Sequence, residues 1–210
     1  SVVTKRPDVH LSDDDTARAA YAELVRAAAT GGPESMERLL MHAQEVAYRF
    51  SLLVCGHPED AEDVMQEALL KTFRYVNRIH EPEAFRTWLY KTVRNACLMK
   101  RRRRVGEPSH HLSIEQDGAS GEHESSAMNV RDHGRPADQQ LIDAWVGERL
   151  RRALQALPPA NRAIVVLRDV EGLSTREVAS ITRLSETNVR TRLHRARLTM
   201  RQHLDEAVTT

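Results

Sequence analysis

Hydrophobic residues recur every three or four positions over most of this chain, which is the spacing of one face of an α-helix. Val and Ile rarely alternate with polar residues, so the pattern does not favour strands. One clear stripe follows Pro58, and another begins near Glu83 and includes Phe85 and Trp88. We therefore predict an all-α chain with almost no sheet.

Glycine, proline and capping residues divide the pattern into separate helices. The predicted helices span 16–29, 35–54, 58–79, 83–104, 141–157, 162–170, 175–181 and 186–206. Asn161 can cap the helix at 162–170, and Ser174 with Glu177 has the spacing of a capping box. Ser185 can cap the last helix. Because a tight turn joins the last two helices, they predict a helix-turn-helix.

The composition changes between Gly106 and Asp138, where Gly, Pro, Ser and acidic residues replace large apolar side chains. Such a segment buries too little surface to offset its ordering entropy, so we predict a flexible linker. The predicted organisation is an N-terminal extension with one helix (1–34), a helical domain (35–105), an acidic linker (106–138) and a helix-turn-helix domain (139–210). We therefore predict that the protein consists of two small helical domains joined by a flexible linker.

The formal net charge is only +1 because acidic and basic segments of the chain cancel each other. Residues 59–67 carry five acids and no base, whereas residues 86–104 carry eight Lys or Arg and no acid. Residues 183–201 carry six arginines against one acid, Glu186. A solvated helix normally interleaves both signs, so the basic segments indicate surfaces that bind something negative, with a solvated face as the alternative.

The last predicted helix has two distinct faces. Its apolar face predicts packing against the domain core and consists of Val189, Leu193, Ala196, Met200 and Leu204. The opposite face is polar, with Thr187, Thr191, His194 and Arg195 at its centre and Arg190, Arg197 and Arg201 along one flank. Hydroxyl and guanidinium groups can read base edges, and flanking arginines can contact phosphates, so this helix is suited to the major groove.

Four segments occur in the order found in one family: DAEDVMQEALLKTF (60–73), FRTWLYKTVRNACLMKRRRR (85–104), LRDVEGLSTREVA (167–179) and NVRTRLHRAR (188–197). Together they resemble the extracytoplasmic-function (ECF, group 4) RNA polymerase sigma factors of the sigma-70 family. The resemblance covers roughly residues 35–105 and 140–205 and implies sigma region 2 followed by sigma region 4. It implies a bacterial factor that binds core RNA polymerase and directs promoter recognition, DNA melting and initiation for a stress or envelope regulon.

The resemblance also assigns partners and residues. Polymerase is expected to contact region 2 through the clamp helices of its largest subunit, and region 4 through the flap of its second-largest subunit. The clamp-binding residues would be Asp60, Asp63, Gln66 and Glu67, which share one helix face; a solvated acidic face is the alternative. An anti-sigma factor is a further expected partner.

Promoter DNA is expected to contact both domains. The residues implied for the minus-ten element are Asn77, Arg78, Ile79, His80, Trp88, Lys91 and Asn95. Those implied for the minus-thirty-five element are Arg168, Arg176, Thr187, Arg190, Thr191, His194, Arg195 and Arg197. Three alternatives stay open: Trp88 and Phe85 as core residues, His194 as a surface residue with no role, and the acidic linker as either a polyanion mimic or a spacer.

Other features narrow the class of protein. The main alternative function is a stand-alone helix-turn-helix transcriptional regulator, and the acids lack the clustering expected of an enzyme. Cys55 and Cys97 are predicted to be buried free thiols of a reducing cytosol. We expect no cofactor and no metal, since His110, His111, His123 and His133 lie in the predicted linker. No segment suggests membrane insertion, so we expect a cytoplasmic protein.

Overall fold

The computed structural model describes residues 11–105 and 137–206, and all their regular elements are helical. This confirms the predicted all-α class. Residues 106–136, with most of the predicted linker and its four histidines, lie outside the described residues. Within the described ranges, none of the helices combines the length and apolar character needed to span a bilayer.

The first domain contains four α-helices: α1 (Leu11–Ala29), α2 (Pro33–Cys55), α3 (Pro58–Tyr75) and α4 (Phe85–Val105). Short 3₁₀ turns at Val76–Arg78 and Pro82–Ala84 connect α3 to α4. The prediction of one helix over 58–79 was therefore too long. Pro33 and Pro58 occupy first turns, where a missing backbone N–H costs no intrahelical bond.

The second domain contains α5 (Ala137–Gln155), α6 (Pro159–Val165), a π-helical turn (Val166–Val170), α7 (Thr175–Thr182) and α8 (Glu186–Glu206). The capping box of Ser174 and Glu177 is present. The backbone N–H of Asn188 donates to the Ser185 Oγ at 3.2 Å, which confirms the second predicted cap. The prediction for Asn161 was wrong, because α6 begins earlier, with Pro158 at its N-cap.

The buried apolar side chains form one continuous cluster that runs through both domains. Phe50 of α2 and Tyr90 of α4 meet edge to face, with ring centroids 5.5 Å apart. Phe85 is fully buried, whereas Trp88 packs partly buried against the same cluster. In α8 the predicted apolar face is buried at Val189, Leu193, Ala196 and Met200, with Leu204 packed at the edge.

The two cysteines contradict the sequence prediction, because Cys55 and Cys97 form a disulfide with a Cα–Cα distance of 5.3 Å. Their sequence separation of 42 suggested independent thiols. The fold brings them together, because the C-terminal end of α2 packs beside the middle of α4. The bond therefore ties two core helices of the first domain to each other.

Reduction of this disulfide is expected to lower the unfolding free energy of the first domain by about 2–4 kcal/mol, because the bond closes a long loop of the unfolded chain. Urea unfolding followed by circular dichroism, with and without dithiothreitol, measures the change. The Cys55→Ala/Cys97→Ala variant is the control, and dithiothreitol should leave its unfolding midpoint unchanged. Identical midpoints for the oxidised and reduced wild type would contradict the expectation.

The two domains contact each other along a surface that we call the seam: α2 and α4 on one side, and α5, α6, α7 and the π-helical turn on the other. Gly56 ends α2 in the left-handed conformation, with φ of 84°. A Cβ at this position would lie 3.3 Å from the Arg162 Nη1 across the seam. Gly56 thus serves both the helix end and the close approach of the second domain.

Candidate nucleic-acid interface

The outer face of α8 is exposed as its sequence predicted. Thr187, Arg190, Thr191, His194 and Arg195 are all solvent-accessible, on the side of the helix opposite the buried Val189 stripe. The α7–α8 turn passes through Arg183, whose φ of 58° lies in the left-handed region. The helix-turn-helix therefore presents a cationic helix face that is free of cover from the described residues.

Several predicted contact residues make internal interactions that fix their direction. Arg197 donates to both carboxylate oxygens of Asp169, at 3.0 and 2.5 Å, and this hydrogen bond raises the pKa of Arg197. Arg190 pairs with Glu186 at 3.1 Å. Arg168 donates to the carbonyl of Leu173 at 3.1 Å. Arg197 is therefore already neutralised, whereas Arg176 and Arg195 are exposed and form no ion pair with another residue in the described ranges.

The predicted minus-ten loop is the connection between α3 and α4. Asn77, Arg78 and His80 are exposed, and Ile79 is partly buried against the core. The Arg78 guanidinium lies 5.4 Å from the centre of the Tyr75 ring. The loop is thus anchored by its apolar residue and offers its polar side chains to solvent.

Helix α1, which the sequence left without a role, packs against both 3₁₀ turns of this loop. Arg26 pairs with Glu83 at 2.5 Å, and Tyr21 packs on Phe85 with ring centroids 5.8 Å apart. Burial is the main cause that raises the pKa of Tyr21. Because α1 packs against both turns of the loop, it supports the conformation of residues 76–84.

Helix α4 carries two separate polar faces. Trp88, Lys91 and Asn95 are half-buried and share one side of the helix. At about 100° per residue, Arg86 and Tyr90 point to a different side, which faces the second domain. Trp88, Lys91 and Asn95 therefore lie on a different side of α4 from Arg86 and Tyr90, and the Asn95 Oδ1 accepts a hydrogen bond from Arg94 at 3.2 Å.

The acidic face of α3 is only partly available to a partner. Asp63, Gln66 and Glu67 are exposed, with Asp63 paired to Lys100 and Glu67 paired to Lys71 at 2.6 Å. Asp60 was predicted to lie on this exposed face, but its relative exposure is only 7%. It lies in the first turn of α3, where the helix end approaches the core, so a simple periodic pattern placed it wrongly.

Glu171 occupies the centre of the seam, and sequence analysis did not single it out. Its side chain, only 2% exposed, lies in a pocket that we call the Glu171 socket and that consists of Arg49, Arg86 and Tyr90 from the first domain. Arg49 donates to the two carboxylate oxygens at 3.0 and 2.8 Å, and the Tyr90 hydroxyl donates at 2.5 Å. Arg86 donates to the Glu171 carbonyl at 2.9 Å.

The socket also changes the titration of its members. The hydrogen bond to Glu171 is the main cause that raises the pKa of Arg49. Burial first, and then the hydrogen bond to Glu171, raise the pKa of Tyr90 above its usual range. Both donors therefore keep their protons over the physiological pH range.

Arg162 makes the second polar contact across the seam. Its guanidinium donates to three carbonyls at the end of α5, and its Nη1 donates to the Val54 carbonyl of α2 at 3.1 Å. Burial, followed by the charge of Arg101, lowers the pKa of Arg162 to about 10. This arginine therefore connects the C-terminal ends of two helices from different domains.

The same seam contains an unfavourable group of cations. Arg94 is only 7% exposed and its Nε has no hydrogen-bond partner among the described residues. Burial first, and then the charges of Arg183 and Arg192 from the second domain, lower the pKa of Arg94 to about 10. Repulsion among these arginines therefore opposes the attraction that Glu171 and Arg162 provide between the two domains.

The fold and these surfaces define an all-α, DNA-binding protein of the helix-turn-helix class. Family models for sigma-70 region 2 and sigma-70 region 4 match residues 36–106 and 147–200. The chain belongs to the sigma-70 family, within the ECF RNA polymerase sigma factors. It is 33% identical to the ECF RNA polymerase sigma factor SigE of Mycolicibacterium smegmatis over 93% of this chain and 70% of SigE.

Two further proteins extend the comparison. The ECF RNA polymerase sigma factor SigW of Bacillus subtilis is 27% identical over 75% of this chain and 82% of its own. The sigma factor RpoE from Bartonella quintana, solved in complex with the anti-sigma factor NepR, has the same fold. Its TM-score is 0.59 at 22% identity, over 80% of this chain and 96% of that chain.

Proposed function

We propose that this protein binds core RNA polymerase through region 2, recognises a promoter through both domains and supports DNA melting. The proposal rests on two exposed surfaces of a sigma-70 family protein: the cationic face of α8, and the polar loop between α3 and α4. The first is preformed for duplex DNA, whereas the second is a loop suited to bases that have left the stack.

The exposed acids of α3 supply the proposed polymerase contact. Asp63, Gln66 and Glu67 form a polar surface with two carboxylates, which complements basic clamp helices of the largest polymerase subunit. Asp60 is too buried to contribute a direct contact, and we assign it to the stability of the first turn. Region 4 would dock on the flap of the second-largest subunit.

Reversing the charge of this surface tests the polymerase contact. The Asp63→Lys/Glu67→Lys variant should bind core polymerase at least about tenfold more weakly, because both carboxylates would become cations opposite basic helices. The two local ion pairs that it breaks are exposed and contribute little to stability. Fluorescence anisotropy with labelled protein gives the affinity.

Glu34→Lys/Glu37→Lys is the matched control, because it makes the same charge change at exposed positions of α2. It should leave the polymerase affinity within about twofold of the wild type, apart from general charge effects. Equal affinity of the α3 variant and the wild type would remove the clamp assignment.

An anti-sigma factor is the proposed regulatory partner, because RpoE from Bartonella quintana was solved with NepR. A stress or envelope regulon is part of the same proposal. The competing function, a stand-alone helix-turn-helix regulator, predicts tight sequence-specific binding to duplex DNA without polymerase. Electrophoretic mobility shifts with and without core polymerase separate the two functions.

A further inference from the structure

We propose that Cys55 and Cys97 form a reversible redox site, at which thiol–disulfide exchange with a cellular dithiol or with glutathione anchors or releases the end of α4. The two residues are the only cysteines of the chain, so one molecule has a single possible pairing. Their Cα atoms are 5.3 Å apart, within the range that a disulfide normally spans. The folded domain therefore holds both sulfurs in a position to join again after reduction.

The cellular setting favours a reversible bond over a permanent crosslink. A protein that acts with RNA polymerase works in a reducing cytosol, so this step rests on the proposed function. Disulfides that form there are mostly transient, and they are either catalytic or redox-sensing. Catalytic cysteines are typically activated at helix N-termini or in Cys-X-X-Cys motifs, whereas Cys55 ends α2 and Cys97 lies within α4. We therefore assign the pair to sensing.

The exposure of the two residues sets the order of exchange. Cys97 is only 3% exposed, whereas Cys55 is half-buried at the end of its helix. A thiolate of the reductant attacks the Cys55 sulfur and forms a mixed disulfide, while Cys97 leaves as a thiolate and takes up a proton. The second thiol of the reductant then displaces Cys55, so the protein gains two electrons and two protons and the reductant becomes a disulfide. Oxidised glutathione reverses the process and yields two molecules of the thiol.

The bond lies where it can control the end of α4. Cys97 is the last buried residue of this helix among those whose side chains the structure describes, because residues 98–103 are exposed or half-buried. Residues 100–103, which we call the basic end, carry four positive charges. Lys100 pairs there with Asp63, and exposed ion pairs of this kind contribute little to stability. The disulfide therefore anchors the helical turn that precedes the basic end.

Reduction would loosen this helix end without unfolding the domain. Buried thiols behave as small apolar side chains, so the core can keep its packing when the bond is broken. A helix end with few buried contacts opens more often once a covalent tie is removed. The basic end follows Lys91 and Asn95 on the same helix, so we assign it to DNA phosphates beside the minus-ten element. Anchoring lowers the entropy lost on binding, and the oxidised protein should bind promoter DNA more tightly.

Hydrogen exchange measured by mass spectrometry on the purified full chain tests the anchoring. Reduction with dithiothreitol should raise the exchange rate of amides in residues 98–105 by about tenfold or more, while amides of α8 should change little. The Cys55→Ala/Cys97→Ala variant should match the reduced wild type and should not respond to dithiothreitol. Equal exchange at residues 98–105 in the oxidised and reduced wild type would overturn the anchoring.

Equilibration with mixtures of reduced and oxidised glutathione tests the exchange chemistry. Labelling of free thiols with N-ethylmaleimide and intact-mass measurement should show the wild type passing in both directions between a disulfide and a dithiol. Cys97→Ala should trap glutathione on Cys55 at least about tenfold faster than Cys55→Ala traps it on the buried Cys97. Failure of the reduced wild type to form the bond again would overturn the redox site, and equal trapping would overturn the attack at Cys55.

Promoter binding by polymerase assembled with oxidised or reduced protein tests the consequence. Oxidation should tighten binding by at least about threefold and steepen the slope of log affinity against log salt by about one to two, since each phosphate contact contributes about 0.9. The double alanine variant separates this effect from any action of dithiothreitol on polymerase. Equal affinities and slopes in the two states would refute the regulatory role. Absence of promoter binding in both states would instead count against the proposed function, and the exchange measurements would still decide the redox site.

Discussion

Replacing Arg190 and Arg195 by alanine is expected to weaken recruitment of the polymerase complex to its promoter by roughly 2–6 kcal/mol, at about 1–3 kcal/mol for each lost base contact. Both side chains are exposed on the outer face of α8, and neither contributes to the core. Filter binding on duplex templates and on templates with a premade bubble should show the same loss, because a preformed helix reads the duplex before melting.

Arg152→Ala is the control for general loss of positive charge. Arg152 is exposed on α5 and pairs with Glu148, away from the face that is proposed to read DNA. It should change recruitment only slightly and mainly at low salt. Normal recruitment by the Arg190→Ala/Arg195→Ala variant would contradict the assignment of α8 to the minus-thirty-five element.

The Asn77→Ala/His80→Ala/Lys91→Ala variant is expected to retain recruitment but to lose open complexes by roughly thirtyfold or more. Holding bases outside the stack costs a few kcal/mol per step, and these side chains would supply the offsetting contacts. Permanganate reactivity of unpaired thymines measures the open complex. A template with a premade bubble should restore much of the open complex, since its bases are already unpaired before the protein binds.

Glu81→Ala is a control from the same loop. Glu81 is exposed next to His80, and its replacement removes no predicted base contact. It should open DNA at the wild-type level. If the triple variant also opens DNA normally, the loop between α3 and α4 is not the melting surface.

The sequence predicted those parts of the structure that depend on local periodicity and capping. The apolar stripe of α8 and the Ser174 capping box are set by residues within a few positions of one another, and both were confirmed. The exposure of the outer face of α8 followed from the same spacing. Local rules failed at Asp60, because burial at a helix end depends on which helices pack there.

The seam could not be predicted, because its contacts join residues that are far apart in sequence. Glu171 and Arg49 are separated by 122 positions, and Glu171 and Tyr90 by 81. An acid followed by glycine in a loop gives no sign of a buried partner. The Cys55–Cys97 bond was missed for the same reason, since only the packing of α2 beside α4 brings the two sulfurs together.

Helix α1 shows a related limit. Its amphipathic pattern predicted a helix, but its contacts with the loop at 76–84 depend on how it lies across α2. The Arg26–Glu83 pair and the Tyr21–Phe85 contact show that residues outside the matched region 2 segment support the proposed melting loop. A family motif alone therefore underestimates the part of the chain that forms this surface.

The most direct measurement of the central claim is in vitro transcription of a genomic DNA library by core polymerase with and without the purified protein, followed by sequencing of RNA 5′ ends. The account predicts new start sites that share two sequence elements, centred near positions minus ten and minus thirty-five, and that disappear with the Arg190→Ala/Arg195→Ala variant. A set of start sites identical to that of core polymerase alone would contradict the assignment of this protein as the promoter-recognition subunit.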